Sequence, residues 1–106
     1  MAKYFNLLGP GIVGGKDTYE LIAPGAANNI TSITITPGGD DPVIFKLFIE
    51  DDPISGTSRR ISILNNISVP YGSGLILNET SMFGFGEEFG LYIKVGNTDS
   101  IDLIIN

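Results

Sequence analysis

ITSITITPGGDDPVIFKLFIEDD, residues Ile30–Asp52, holds two apolar runs parted by a Gly/Pro/Asp break. In the first run Ile33 and Ile35 share one side and Thr34 and Thr36 the other, the period-two alternation of a strand lying half in a core. In the second run Val43, Phe45, Leu47 and Ile49 take one side, but Ile44 and Phe48 take the other. A sheet with one face on a core and one in water needs a polar second face. Something must therefore cover Ile44 and Phe48. A second protein surface would do so, and so would a bulge that reverses parity within the strand; we expect the first.

Moving outward from this stretch, the rest of the chain repeats its grammar. Helical spacing of apolar residues is not sustained in any window, whereas Ile, Val, Thr, Phe and Tyr gather in short runs separated by Gly, Pro, Asn and Asp. The runs predict strands over Tyr4–Leu8, Thr18–Ile22, Asn29–Thr36, Val43–Glu50, Arg60–Val69, Leu75–Asn78, Gly90–Val95 and Ser100–Ile105. APGAAN (Ala23–Asn28), PGGDDP (Pro37–Pro42), DDPISGTS (Asp51–Ser58), PYGSG (Pro70–Gly74) and GNTD (Gly96–Asp99) read as turns. The expected fold is all-β: a single antiparallel two-layer β-sandwich of about eight strands, immunoglobulin-like or jelly-roll-like. GPGIVGG (Gly9–Gly15) reads as a flexible joint, so residues 1–15 form an N-terminal arm and 16–106 the sandwich. Alternation assigns the core to Ile33, Ile35, Val43, Phe45, Leu47, Ile49, Ile61, Ile63, Ile67, Val69, Leu91, Ile93, Val95, Ile101, Leu103 and Ile105.

Composition removes several function classes. The chain has 106 residues, enough for one core, and lacks Cys, His and Trp, so disulfides cannot support it. Net charge is −6 and the basic residues are scattered apart from Arg59–Arg60, which argues against a surface that tracks nucleic-acid phosphates. No apolar run is long enough to span a membrane, and MAKYFNLLGPG lacks signal-peptide organisation, so we expect synthesis in the cytoplasm.

Candidate chemistry is sparse. Without His or Cys, no familiar base or thiolate activates a nucleophile, and Lys46 and Lys94 read as exposed strand lysines rather than bases. The pairs Asp40–Asp41, Asp51–Asp52 and Glu87–Glu88 lie on turns, without the spacing of a calcium loop or of an acid/base pair across a cleft. Three glycosylation-type triplets, at Asn29, Asn66 and Asn78, read as coincidences of an Asn- and Thr-rich chain. GFGEEFG (Gly84–Gly90) lacks the Lys-Ser/Thr ending of a phosphate loop. We therefore expect no enzyme, metal or cofactor. The informative residues are the off-face apolars Ile44, Phe48, Ile76, Tyr92 and Ile104, which form an association surface if they align. Tyr4, Phe5, Leu7 and Leu8 of the arm either add a strand to a neighbour's sheet or begin the protein's own. Phe83, Phe85 and Phe89 plug the sandwich end in one reading; in the other the cluster anchors a partner, with Tyr71, Phe83 and Phe85 as loop contacts.

MAKYFNLLG, NITSITIT, SVPYGSGLIL and EEFGLYIKVGNTDSIDLII together resemble a family of small bacteriophage virion proteins, and the likeness spans nearly the whole chain. Pro70-Tyr71-Gly72 fits that family's Pro-x-Gly turn, while Gly86-Glu87-Glu88 stands where the family has Gly-Asp. The resemblance implies a structural component of the particle with no catalytic residues. The leading expectation is a capsid decoration, or cement, protein. It would be a homotrimer that buries the off-face residues and clamps the major capsid protein on the outer surface of the head. The alternatives are a receptor- or glycan-recognition domain of a fibre or tail, acting through loops Gly38–Asp41, Pro53–Ser58 and Met82–Gly86, and a tail or neck ring subunit.

Overall fold

β-branched and aromatic residues at alternate positions favour extended backbone, and the computed structural model contains eight strands. They are β1 (Lys3–Leu8), β2 (Thr18–Ile22), β3 (Ile33–Pro37), β4 (Val43–Glu50), β5 (Arg60–Val69), β6 (Leu75–Leu77), β7 (Gly90–Val95) and β8 (Ser100–Ile105). The structure describes residues 2–26, 30–51, 59–78, 83–86 and 88–106. All pairings are antiparallel, and they build two four-stranded sheets ordered β1-β8-β3-β6 and β2-β7-β4-β5.

The pairs β1–β8, β2–β7, β3–β6 and β4–β5 describe one long hairpin whose two arms hold four strands each. Rolling that hairpin brings β3 against β8 and β4 against β7, which splits the strands into two facing sheets. This is the order of a jelly roll, and it decides between the two sandwiches that the spacing of strands left open.

Alternation on both sheets fills the space between them. Ile33, Ile35, Phe45, Leu47, Leu91, Ile93, Ile101 and Leu103 are at most 1% exposed. Leu7, Leu21, Ile22, Ile30 and Leu77 join the same core without having been expected there, and Phe83 and Phe89 join it as the end-plugging reading expects. Three expected core residues differ. Ile61 is 51% exposed, and Ile63 and Ile67 are only half-buried. β6, the edge strand of the other sheet, has 3 residues, whereas the edge strand β5 has 10. Its register with β4 also slips between Phe45 and Leu47 and again between Leu47 and Phe48. Asn66 sits at the first slip with φ 52°, a left-handed conformation that Asn tolerates. The parity reversal considered for β4 thus lies on its neighbour: β4 keeps strict alternation against β7 from Phe45 to Glu50.

The expected N-terminal arm is, from Lys3 to Leu8, an edge strand of the protein's own sheet, and its Leu7 is 2% exposed. The sandwich therefore begins at Lys3 rather than at residue 16. The expected flexible joint is a crossover from one sheet to the other, tied to the β7–β8 turn. Gly9 N–H donates to the Asp99 carbonyl (2.8 Å), and Gly11 N–H donates to that of Asn97 (2.7 Å).

Candidate functional site

The off-face apolars divide between two surfaces that point away from each other. Ile44, Phe48 and Tyr92 lie on the outer face of the β2-β7-β4-β5 sheet, and Ile76 and Ile104 on that of the β1-β8-β3-β6 sheet. The single patch expected from aligning all of them does not form.

On the first face, Phe48 and Tyr92 are opposite one another in the β4–β7 register and stack with ring centroids 5.7 Å apart. Both are buried, yet neither belongs to the core between the sheets. Their cover includes charged side chains of the same chain. The Arg60 guanidinium lies 4.3 Å from the Phe48 centroid and the Lys46 ammonium 5.9 Å from it. Arg60 also reaches the carboxylate of Glu50 (3.2 Å), which is itself buried. Long cationic side chains lay their methylenes over apolar surface and keep their heads wet, and a guanidinium over an aromatic face adds electrostatic attraction. The expectation that a second molecule covers Phe48 and Tyr92 is therefore corrected. The signal was present in the sequence, since Lys46 and Glu50 flank Phe48 at two residues' distance on the same strand face.

Two groups in this region carry shifted acidities. The Tyr92 hydroxyl donates to Glu20 Oε2 (3.2 Å), and burial, then the Glu20 charge, push the phenol up to about 12. At the rim, the Arg59 backbone N–H (2.6 Å), then its side chain (2.8 Å), hold the Asp51 carboxyl below its ordinary range.

The second face remains open. Register places Tyr4 opposite Ile104, Ile104 opposite Thr34, and Thr34 opposite Ile76, so one uncharged row crosses all four strands of the sheet. Its ends are bare, with Tyr4 75% and Ile76 63% exposed, and Ile104 and Thr34 are half-buried between them. The next row is polar: Asn6 pairs with Asp102 and donates to its carboxylate (2.7 Å). A shallow depression lies where the two rows meet, lined by Tyr4, Asn6, Asp102 and Ile104. Phe5 points inward against the core.

The edge of this sheet is partly closed. Leu8 is half-buried, and its N–H donates to the Tyr19 hydroxyl (3.2 Å), which in turn donates to the Leu8 carbonyl (2.6 Å). Those groups face away from β8, and antiparallel alternation turns the backbone of Tyr4 and Asn6 the same way. Tyr19 thus caps the end of the edge strand while its beginning stays available.

The loop candidates separate similarly. Tyr71, in the β5–β6 turn, is 60% exposed, whereas Phe83 is 3% exposed and Phe85 packs against the core. The plugging reading of Phe83 and Phe85 holds, which leaves Tyr71 as the exposed ring of the three. Asp40 and Asp41 are exposed in the β3–β4 loop. Pro53–Ser58, Met82, Asp52 and Glu87 lie outside the described residues. Among the described residues, no three acidic, His or Cys side chains gather as a metal site would require. No known family model, curated protein or solved structure matches the chain.

Proposed function

We infer that the chain is a non-enzymatic structural protein that docks on a larger protein assembly through the outer face of its β1-β8-β3-β6 sheet. The assembly is the head of a bacteriophage, and the chain decorates its outer surface, in contact with the major capsid protein. The observation that carries this reading is the uncharged row Tyr4–Ile104–Thr34–Ile76, exposed at both ends. Three strand spacings make it about 14 Å wide, and on a chain of net charge −6 such a row is where contact with another protein loses least hydration. The open part of the β1 edge beside it offers backbone groups to the same partner.

Two further points support the reading. Jelly rolls recur in viral capsid domains and also in lectins, a fold-level analogy only. The acidic balance suits a site away from packaged nucleic acid. Glycan recognition has less behind it, because Phe83 is buried and Phe85 packs against the core, which leaves Tyr71 alone of the three loop rings as a sugar platform.

The test is particles made with and without the chain. Particles lacking it lose heat resistance and regain it when wild-type chain is added, because a ligand of the assembled shell stabilises it by mass action. Tyr4→Asp/Ile76→Asp chain does not rebind. Imaging places the bound chain on the head surface. Undiminished robustness without the chain, rebinding by the variant, or density at the tail or neck defeats this reading.

A further inference from the structure

The outer face of the other sheet holds an electrostatic conflict that the docking surface does not use. Lys46 and Lys94 stand directly opposite one another on β4 and β7, an arrangement that destabilises a sheet when nothing offsets it. Lys94 has Asp17 only at 4.0 Å, with both side chains more than half exposed. Lys46 has no ion pair among the described residues and rests near the Phe48 ring. The two lysines, Ile44 and Asn66 line a shallow cleft at the end of the sheet. Ile44, 50% exposed, is the one residue of the opening stretch's off-face pair that the chain leaves bare. Two cations, one held by a single long ion pair and one with none among the described residues, stand beside an apolar side chain, and in a chain with twice as many acids as bases they suit an anionic occupant.

A matching anionic surface lies next to the cleft. Asp40 and Asp41 are exposed on the loop that runs into β4, without an ion pair among the described residues. They line a neighbouring depression with Asp99. Asp99 Oδ2 accepts from the Ile44 N–H (2.9 Å), and the Ile44 carbonyl accepts from Gly96 N–H (3.1 Å), so Ile44 sits at the border between the acidic loop and the basic cleft. A positive and a negative patch side by side are self-complementary about a twofold axis.

We propose that two copies of the chain associate through this end, each placing its Asp40–Asp41 loop on the Lys46–Lys94 pair of the other, with the two Ile44 side chains meeting at the centre. The contact then has an apolar middle and a charged rim, the usual anatomy of a protein interface. Net charge of −6 on each copy opposes approach at low salt. Screening at physiological ionic strength acts over about 8 Å, so it removes that repulsion while leaving pairs in contact, and molar salt then weakens the pairs themselves. Association is therefore strongest at intermediate salt. The proposal is independent of the docking surface: it uses the opposite face and is read on the purified chain alone.

Sedimentation of the full chain over a range of salt and protein concentrations tests it. Wild type forms a dimer that dissociates in molar salt. Lys46→Glu/Lys94→Glu and Asp40→Lys/Asp41→Lys, each checked for folding by circular dichroism, are each at least about 10-fold weaker in self-association, because like charges then meet at both contacts. An equimolar mixture of the two variants restores the dimer, because every contact again joins opposite charges. A wild type that stays monomeric at all salt concentrations overturns the proposal, as does folded variants dimerising like wild type or a mixture that stays monomeric. A monomeric wild type that binds polyglutamate through the same lysines also overturns it, and assigns the cleft to a foreign acidic segment.

Discussion

Phe48 and Tyr92 stack at 5.7 Å with their ring planes 15° apart, on the side of the sheet that faces away from the core. An aromatic pair on such a face is ordinarily wet. Here Arg60 lies over Phe48, and Glu20 and Glu50 hold Tyr92 and Arg60 in place through hydrogen bonds. The charged residues of β2, β4 and β5 thus do for this face what a second layer would do.

Removing the ring should therefore destabilise the isolated chain. Phe48 is 0% exposed, and Phe48→Ala should cost about 3 kcal/mol, the low end for buried Phe, since a cover of long side chains can partly collapse into the space. Arg60→Ala should cost about 1–2 kcal/mol through the lost stack and ion pair. The two losses should fall short of additive by about 0.5–1 kcal/mol. Urea unfolding of the four-member cycle measures this. A loss below 1 kcal/mol for Phe48→Ala in a monomeric sample would show that the cover is ineffective without a second molecule.

Tyr92 also makes stability depend on alkaline pH. Its phenol is pushed from 10.0 up to about 12 in the folded chain. The folded state then keeps a proton that the unfolded state has released, so stability is complete below pH 10 and falls as pH rises toward 12, by about 2–3 kcal/mol from this group. Tyr92→Phe should cost about 1 kcal/mol at neutral pH for the lost hydrogen bond and should flatten this part of the alkaline decline. Urea unfolding of both proteins across that range gives the difference. Parallel declines would exclude the burial and Glu20 effects as the cause.

Much of this was legible in residue order, and the rest had physical reasons not to be. Alternation located the strands and most of the core because it is a local property of extended chain. Pairing is not local. β1 meets β8 across nearly the whole chain, so which sheet Ile76 or Tyr92 belongs to could not be read from the residues around it. Asn65-Asn66 interrupts the apolar alternation of β5, and that was the visible trace of the register slip. What it could not convey is that Ile61, near the start of this edge strand, is half exposed.

This difference between expectation and structure has its own measurement. Ile61 and Ile101 read alike as core positions, yet they are 51% and 0% exposed. Ile101→Ala should cost about 3–4 kcal/mol, the lost transfer free energy plus a cavity between the sheets. Ile61→Ala, half exposed on an edge strand, should cost no more than about 1 kcal/mol. Chemical denaturation of the two variants side by side decides the matter, and equal losses would mean that the start of β5 is covered after all.

The segment that reads as a joint is built as a clasp. The Gly9 backbone lies so close to the β7–β8 turn that a Cβ there would collide with the carbonyls of Gly96 and Asn97. Both are backbone atoms, so relief needs movement of the turn that holds β7 and β8 in register. Gly9→Ala should therefore destabilise the fold by about 1–3 kcal/mol, as overpacking does in a dense interior. It should also loosen β1, whose end is fixed by the Gly9 and Lys16 hydrogen bonds, and so raise the rate of proteolysis near residue 9. Gly39 is the control: it is exposed and a Cβ there meets nothing within 4 Å, so Gly39→Ala should be close to neutral. Limited proteolysis and thermal unfolding of both variants measure the contrast. If Gly9→Ala unfolds like wild type and is cut no faster, then the segment is the free joint that its glycines first suggest, and β1 does not depend on the turn for its place at the edge.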